Sequence, residues 1–169
     1  MSCCQAGLLT AALQSLENQS LGFEQDRRLV ATMNPKLAGY RPGQLSQLYR
    51  RIHDSIASLP GVSSVALCLY SPPGGGWGAP VWVDGQPAPG PRDDYFASWD
   101  RVTAGYFEVI GTPIVKGRGI SEQDTAISRH VAVISEAFAR KFFRDEDPIG
   151  KHFGWKPGES REFEVVGRS

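Results

Sequence analysis

The residues whose types could do chemistry are three histidines, short acidic groups, a serine ahead of a helix and a run of glycines. His53, His130 and His152 share no His-x-x-x-His spacing, and zinc requires three or four convergent ligands, so the pattern does not support a metal site. Glu122 and Asp124, together with Asp145, Glu146 and Asp147, invite a two-carboxylate hydrolase reading. Such acids must flank one bond at a set separation, which nothing in this spacing secures, and solvated charge is the simpler expectation. Ser135 sits in Val133-Ile-Ser-Glu-Ala137, without the Gly-x-Ser-x-Gly elbow that presents a nucleophile, and reads as a helix cap. Gly74-Gly-Gly76 with Gly78 lacks the lysine and following helix that would hold a phosphate, so it reads as a surface loop. Trp77 in that loop is either an exposed contact anchor or folded back on a sheet. No catalytic, cofactor-binding or metal-binding residue is assigned.

The elements around these residues are better defined. Leu45, Leu48, Tyr49, Ile52, Ile56 and Leu59 form one stripe of a helix that Pro60-Gly61 ends. Leu29 to Met33 before it and Val62 to Tyr70 after it read as strands, giving a strand-helix-strand unit. Ser71 to Gly78 and Gly85 to Pro91 are breaker clusters that exclude regular structure. Between and after them, Val81-Trp-Val83 and Tyr95 to Trp99 read as antiparallel strands joined by a long loop. From Arg101 to Gly119 the chain reads as a strand, a short aromatic helix around Tyr106 and Phe107, and an exit at Gly111 and Pro113 into another strand; Thr103 is available as a cap. Val131 to Ile134 is a strand, Glu136 to Phe143 a helix whose Phe138, Phe142 and Phe143 belong to a core, and Asp147-Pro-Ile-Gly150 a turn. Closing strands lie near His152 and at Phe163 to Val166. The expected fold class is α+β, with a strand-helix-strand layer and a β-rich subdomain with short helices.

Composition narrows the partners. In 169 residues, 41% hydrophobic and 21% charged, there is enough apolar area for one cored domain. Eighteen basic and eighteen acidic residues cancel, and Arg27-Arg28, Arg50-Arg51 and Arg140-Lys141 lie apart, which excludes a phosphate-tracking nucleic-acid surface. Cys3, Cys4 and Cys68 make no disulfide scaffold, and Cys68 reads as a small buried hydrophobe. No run approaches the roughly 18 to 20 apolar residues that span a bilayer. Leu8 to Leu16 reads as a short apolar-faced helix.

Four blocks, in order and spacing, carry a resemblance: Arg101-Val-Thr-Ala-Gly-Tyr-Phe-Glu-Val-Ile-Gly-Thr-Pro-Ile-Val-Lys-Gly-Arg-Gly119, His130-Val-Ala-Val-Ile-Ser-Glu-Ala-Phe-Ala-Arg-Lys-Phe-Phe143, Glu146-Asp-Pro-Ile-Gly-Lys151 and Phe163-Glu-Val-Val-Gly167. From about Leu8 to Gly167 the chain resembles the MacB-like periplasmic core domain of ABC transporter permeases, within the FtsX-like class. The resemblance implies a piece of a longer protein. Residues 1–27 would be the end and exit of a first membrane helix, 28–70 the strand-helix-strand part of the periplasmic domain, and 71–169 its β-rich part, cut short at the C-terminus. It implies a permease of the cell inner membrane whose domain faces the periplasm or cell exterior, transmits ATP-driven motion and contacts cargo or a periplasmic adaptor. An ABC ATPase domain or subunit is the implied partner, with no cofactor and no catalysis in this domain. The isolated chain is expected to be soluble, and an open strand edge and the Leu8 to Leu21 stripe are expected to favour self-association, including a homodimer. The alternatives are a free-standing extracytoplasmic ligand-binding module, with the Gly-Trp loop and strand aromatics lining a pocket, and, third, a small hydrolase using the scattered acids.

Overall fold

A computed structural model describes residues 27–71, 76–90, 92–125, 127–144 and 146–169. The expected Leu8 to Leu16 helix, Gly74, Gly75 and Asp145 lie outside these residues. The architecture is α+β, as the sequence indicates, with its main core drawn from Val81 onward.

A 3-10 turn, Pro42–Gln44, leads into α1, Leu45–Ala57. Proline suits such a start because its missing N–H is not needed there. The apolar stripe of α1 is as the periodicity requires, but only Leu48 on the helix is buried and Leu59 is 54% exposed. The flanking segments differ from expectation. Leu29 to Met33 forms no ladder, and Leu29 is 94% exposed. Val62 to Tyr70 forms no named strand and pairs at a single bridge, Cys68 opposite Val102, before bends at Leu69 and Tyr70. β-branched composition alone does not make a strand where no neighbouring edge takes up its hydrogen bonds.

The middle of the chain is one bent strand shared by two sheets. β1, Trp77–Pro80, pairs antiparallel with β3, Phe96–Trp99. At Val81, whose N–H donates to the Tyr95 carbonyl at 2.7 Å, the chain turns. β2, Trp82–Val83, then pairs with β6, His152–Gly154. Two sequence expectations are corrected here. Trp77 and Gly78 are strand residues, because Trp77 stands opposite Trp99 and stacks on it at 6.4 Å, a cross-strand pairing that outweighs the local breaker composition. Val81-Trp82-Val83 supplies only the end of the hairpin before leaving for the larger sheet.

α2, Tyr106–Ile110, lies between two left-handed glycines, Gly105 (φ 73°) and Gly111 (φ 70°). The exit at Gly111 and Pro113 leads into β4, Lys116–Gly117. Thr103 does not cap α2; its hydroxyl instead accepts from the Leu67 N–H at 2.9 Å.

The five-stranded sheet is organised by β7, Phe163–Arg168. β5, His130–Ile134, runs parallel along its whole length with a bulge at Ala132/Val133. A strand has two edges, so β6 and β4 share the other one, pairing with opposite ends of β7. α3, Glu136–Phe143, begins at Ser135, whose hydroxyl accepts from the Phe138 N–H at 3.2 Å as the capping pattern demands. Ala139, Phe142 and Phe143 fall three and four residues apart on its buried face and meet Val81, Ile134, Phe153 and Val165 in the core.

Candidate functional site

The histidines do not converge. His53 Nδ1 lies 3.2 Å from Asp54 on α1, while His130 stacks on Phe163 at 5.6 Å and His152 lies 3.9 Å from Glu164. Among the described residues no group of three or more His, Cys, Asp or Glu could hold a metal ion. Cys68 is partly buried, and burial, then the charge of Asp100, pushes its thiol pKa up, which leaves it a poor nucleophile.

Three of the candidate carboxylates, Asp124, Glu146 and Asp147, are held in ion pairs, while Glu122 is exposed. Asp147 accepts from Lys116 Nζ at 2.8 Å, and Glu146 pairs with Lys151. Asp124 departs furthest from the expected solvated charge. Arg118 grips it with two nitrogens at 2.6 and 2.9 Å, and the Ser121 N–H and hydroxyl donate to it at 2.8 and 2.9 Å. The Arg118 guanidinium foremost, helped by Ser121, holds the Asp124 carboxyl well below the usual carboxylate range. A folded-state pKa depressed below the unfolded value contributes stability that is fully present above about pH 4 and is lost as the pH falls. Thermal melts from neutral to acid pH should therefore show Asp124→Asn losing less stability than the parent. Parallel curves would mean that this clip does not support the fold.

The densest side-chain constellation is aromatic. Trp99 of β3 lies 5.5 Å from Phe153 of β6, 5.3 Å from Phe163 of β7 and 5.6 Å from Trp155. Trp77 of β1 reaches both Tyr70 and Trp155 at 6.3 Å. The Arg101 guanidinium covers Trp77 at 5.6 Å and Trp155 at 5.9 Å, a cation–π arrangement that needs no acid. Trp77 is thus folded back onto the sheets. Trp155 and Arg101 are the members that sequence reading missed: a tryptophan in a turn and an arginine at a strand end carry no periodic signal. The cluster holds no nucleophile or acid–base pair, so what it does is join two sheets and the segment leaving α1.

The decisive comparison is with sequence families: the description of the MacB-like periplasmic core domain matches residues 6–169. The chain belongs to that family. Members of the MacB-like periplasmic core domain family are parts of ABC transporter permeases, a transport class and not an enzyme class. Similar solved structures include the periplasmic region of MacB from Actinobacillus actinomycetemcomitans, at 19% identity and TM-score 0.51, covering 76% of this chain and 56% of that one. Others are the extracellular domain of the ABC-type transporter YknZ from Gram-positive bacteria, at 19% identity and TM-score 0.43, covering 70% and 55%, and a domain of a permease protein from Porphyromonas gingivalis, at 16% identity and TM-score 0.48, covering 69% and 48%. The chain therefore spans about half the length of these structures. The MacB likeness supports the α+β fold. No curated protein matches the sequence. Among the described residues no helix is long and apolar enough to cross a membrane.

Proposed function

We propose that this chain is the extracytoplasmic core of an export permease of the inner membrane, and that it carries motion driven by an ABC ATPase to a cargo or adaptor protein without catalysis of its own. In this reading residues 1–27 approach from a membrane helix, 28–70 receive the motion, and 71–169 deliver it. The observation that carries the reading is the tie between the last two parts. The Leu67 N–H donates to the Thr103 hydroxyl, Leu69 and Thr103 bond to Arg101 and Leu67 through the backbone, and Tyr70 packs on Trp77. Displacement of the segment leaving α1 would move the aromatic cluster and both sheets with it, as packed interiors transmit strain. The ion pairing of Asp124, Glu146 and Asp147 weighs against the hydrolase alternative, and the inward packing of Trp77 against a pocket built on its loop.

The test is made in the full-length permease with its ATPase. Thr103→Val and Trp77→Ala should leave ATP hydrolysis near the parental rate and reduce export. If folded variants export at the parental rate, transmission through this tie is wrong.

A further inference from the structure

A cleft of about 380 Å³ lies where the end of α3 meets β4 and β7. Its charged lining is Lys116, Arg140, Arg144, Arg168, Glu146 and Asp147. The two carboxylates are already engaged, Asp147 with Lys116 and Glu146 with Lys151. Among the described residues Arg140 has only a loose, exposed contact of 3.7 Å with Glu136 on its own helix. Arg168 is different: its Nε is buried and has no hydrogen-bond partner among the described residues. A buried donor left without a partner is costly, and folded proteins ordinarily satisfy such groups; the guanidinium itself is half-buried and its charge also acts on Asp147. Arg144 adds an independent sign. It takes up φ 54° and ψ −120° at the end of α3, a conformation disfavoured for a bulky residue, and its exposed side chain lines the cleft. The negative end of the α3 dipole opposes an anion here, but Arg140 and Arg144 at that end offset it.

We propose that this cleft binds a phosphate group, free or carried on a lipid headgroup. Planar guanidinium forks from separate elements suit a tetrahedral oxyanion, which accepts from several directions at once. The inference is independent of force transmission, which requires no anion.

Calorimetric titration of the full chain with inorganic phosphate should give saturable binding. Arg144→Gln should weaken it about tenfold or more, and Arg168→Gln likewise, while Arg50→Gln on α1 should leave it unchanged. Should Arg168→Gln fail to fold by circular dichroism, Arg144→Gln and Arg140→Gln carry the test, since both side chains are exposed. Co-sedimentation with phosphatidylcholine vesicles, with and without phosphatidic acid, separates the sources: phosphate-competed pelleting only with phosphatidic acid assigns a lipid headgroup, and calorimetric binding without pelleting assigns free phosphate. No saturable binding up to about 10 mM phosphate, or equal affinity in the arginine variants and the parent, overturns the proposal.

Discussion

Phe153→Ala should destabilise this domain by about 3–5 kcal/mol, the usual cost of emptying a fully packed phenylalanine site. Phe153 is 2% exposed and touches three elements outside its own strand: Trp99 of β3 at 5.5 Å, Phe138 of α3 at 5.1 Å and Phe163 of β7 at 5.8 Å. Truncation removes apolar area and leaves a void walled by rings that cannot all relax inward, because each is held by its own strand or helix. For a chain of this size each kcal/mol corresponds to about 2–4 °C, so a fall of roughly 6–20 °C in melting temperature is expected. Phe153→Leu, which retains most of the volume, should recover over half of the loss. Equal melting of parent and alanine variant would show that the two sheets are not joined through this side chain.

The contacts of Phe153 also mark where sequence reasoning reached and where it stopped. The apolar spacing of Ala139, Phe142 and Phe143 announced α3 and its buried face, and Ser135 announced its start. Local signals sufficed because a helix satisfies its hydrogen bonds within itself. Strands do not, and their partners are set by packing across long sequence separations. Trp82–Val83 could not be assigned to β6, some seventy residues away, from any nearby residue. Trp77 reads as a loop residue because glycines precede it, yet Gly76 serves its strand: a Cβ there would overlap the Trp99 carbonyl. The same limit explains the first strand that failed, Leu29 to Met33, whose composition was suitable and whose partner edge is missing among the described residues. In the candidate site, the Arg118–Asp124 clip and the Arg101–tryptophan contacts were not legible, because their partners are set by how the chain folds back and not by local spacing.

Gly167→Ala should be destabilising by about 1–3 kcal/mol, the usual range for forcing extra atoms into a packed interior. The sign is the informative part, because glycine within a strand is ordinarily worse than alanine by roughly 0.5–1 kcal/mol and replacement there would stabilise. Gly167 is a buried residue of β7, opposite Gly117 of β4 on one edge and Val133 of β5 on the other. A Cβ at Gly167 would overlap the carbonyl oxygen of Arg118 and press on Val133 Cγ2 at 3.3 Å. The carbonyl belongs to the backbone, so relief requires moving the segment after β4, where Arg118 also holds Asp124. Gly78→Ala supplies the control. Gly78 lies in β1, where a Cβ would meet nothing within 4 Å, and there alanine should be neutral or stabilising by up to about 1 kcal/mol. Denaturant unfolding of both variants decides between the effects. Opposite shifts would show that the Val-Val-Gly block keeps its glycine for close approach of β4, and a stabilising Gly167→Ala would show that β4 is not seated against β7 as described.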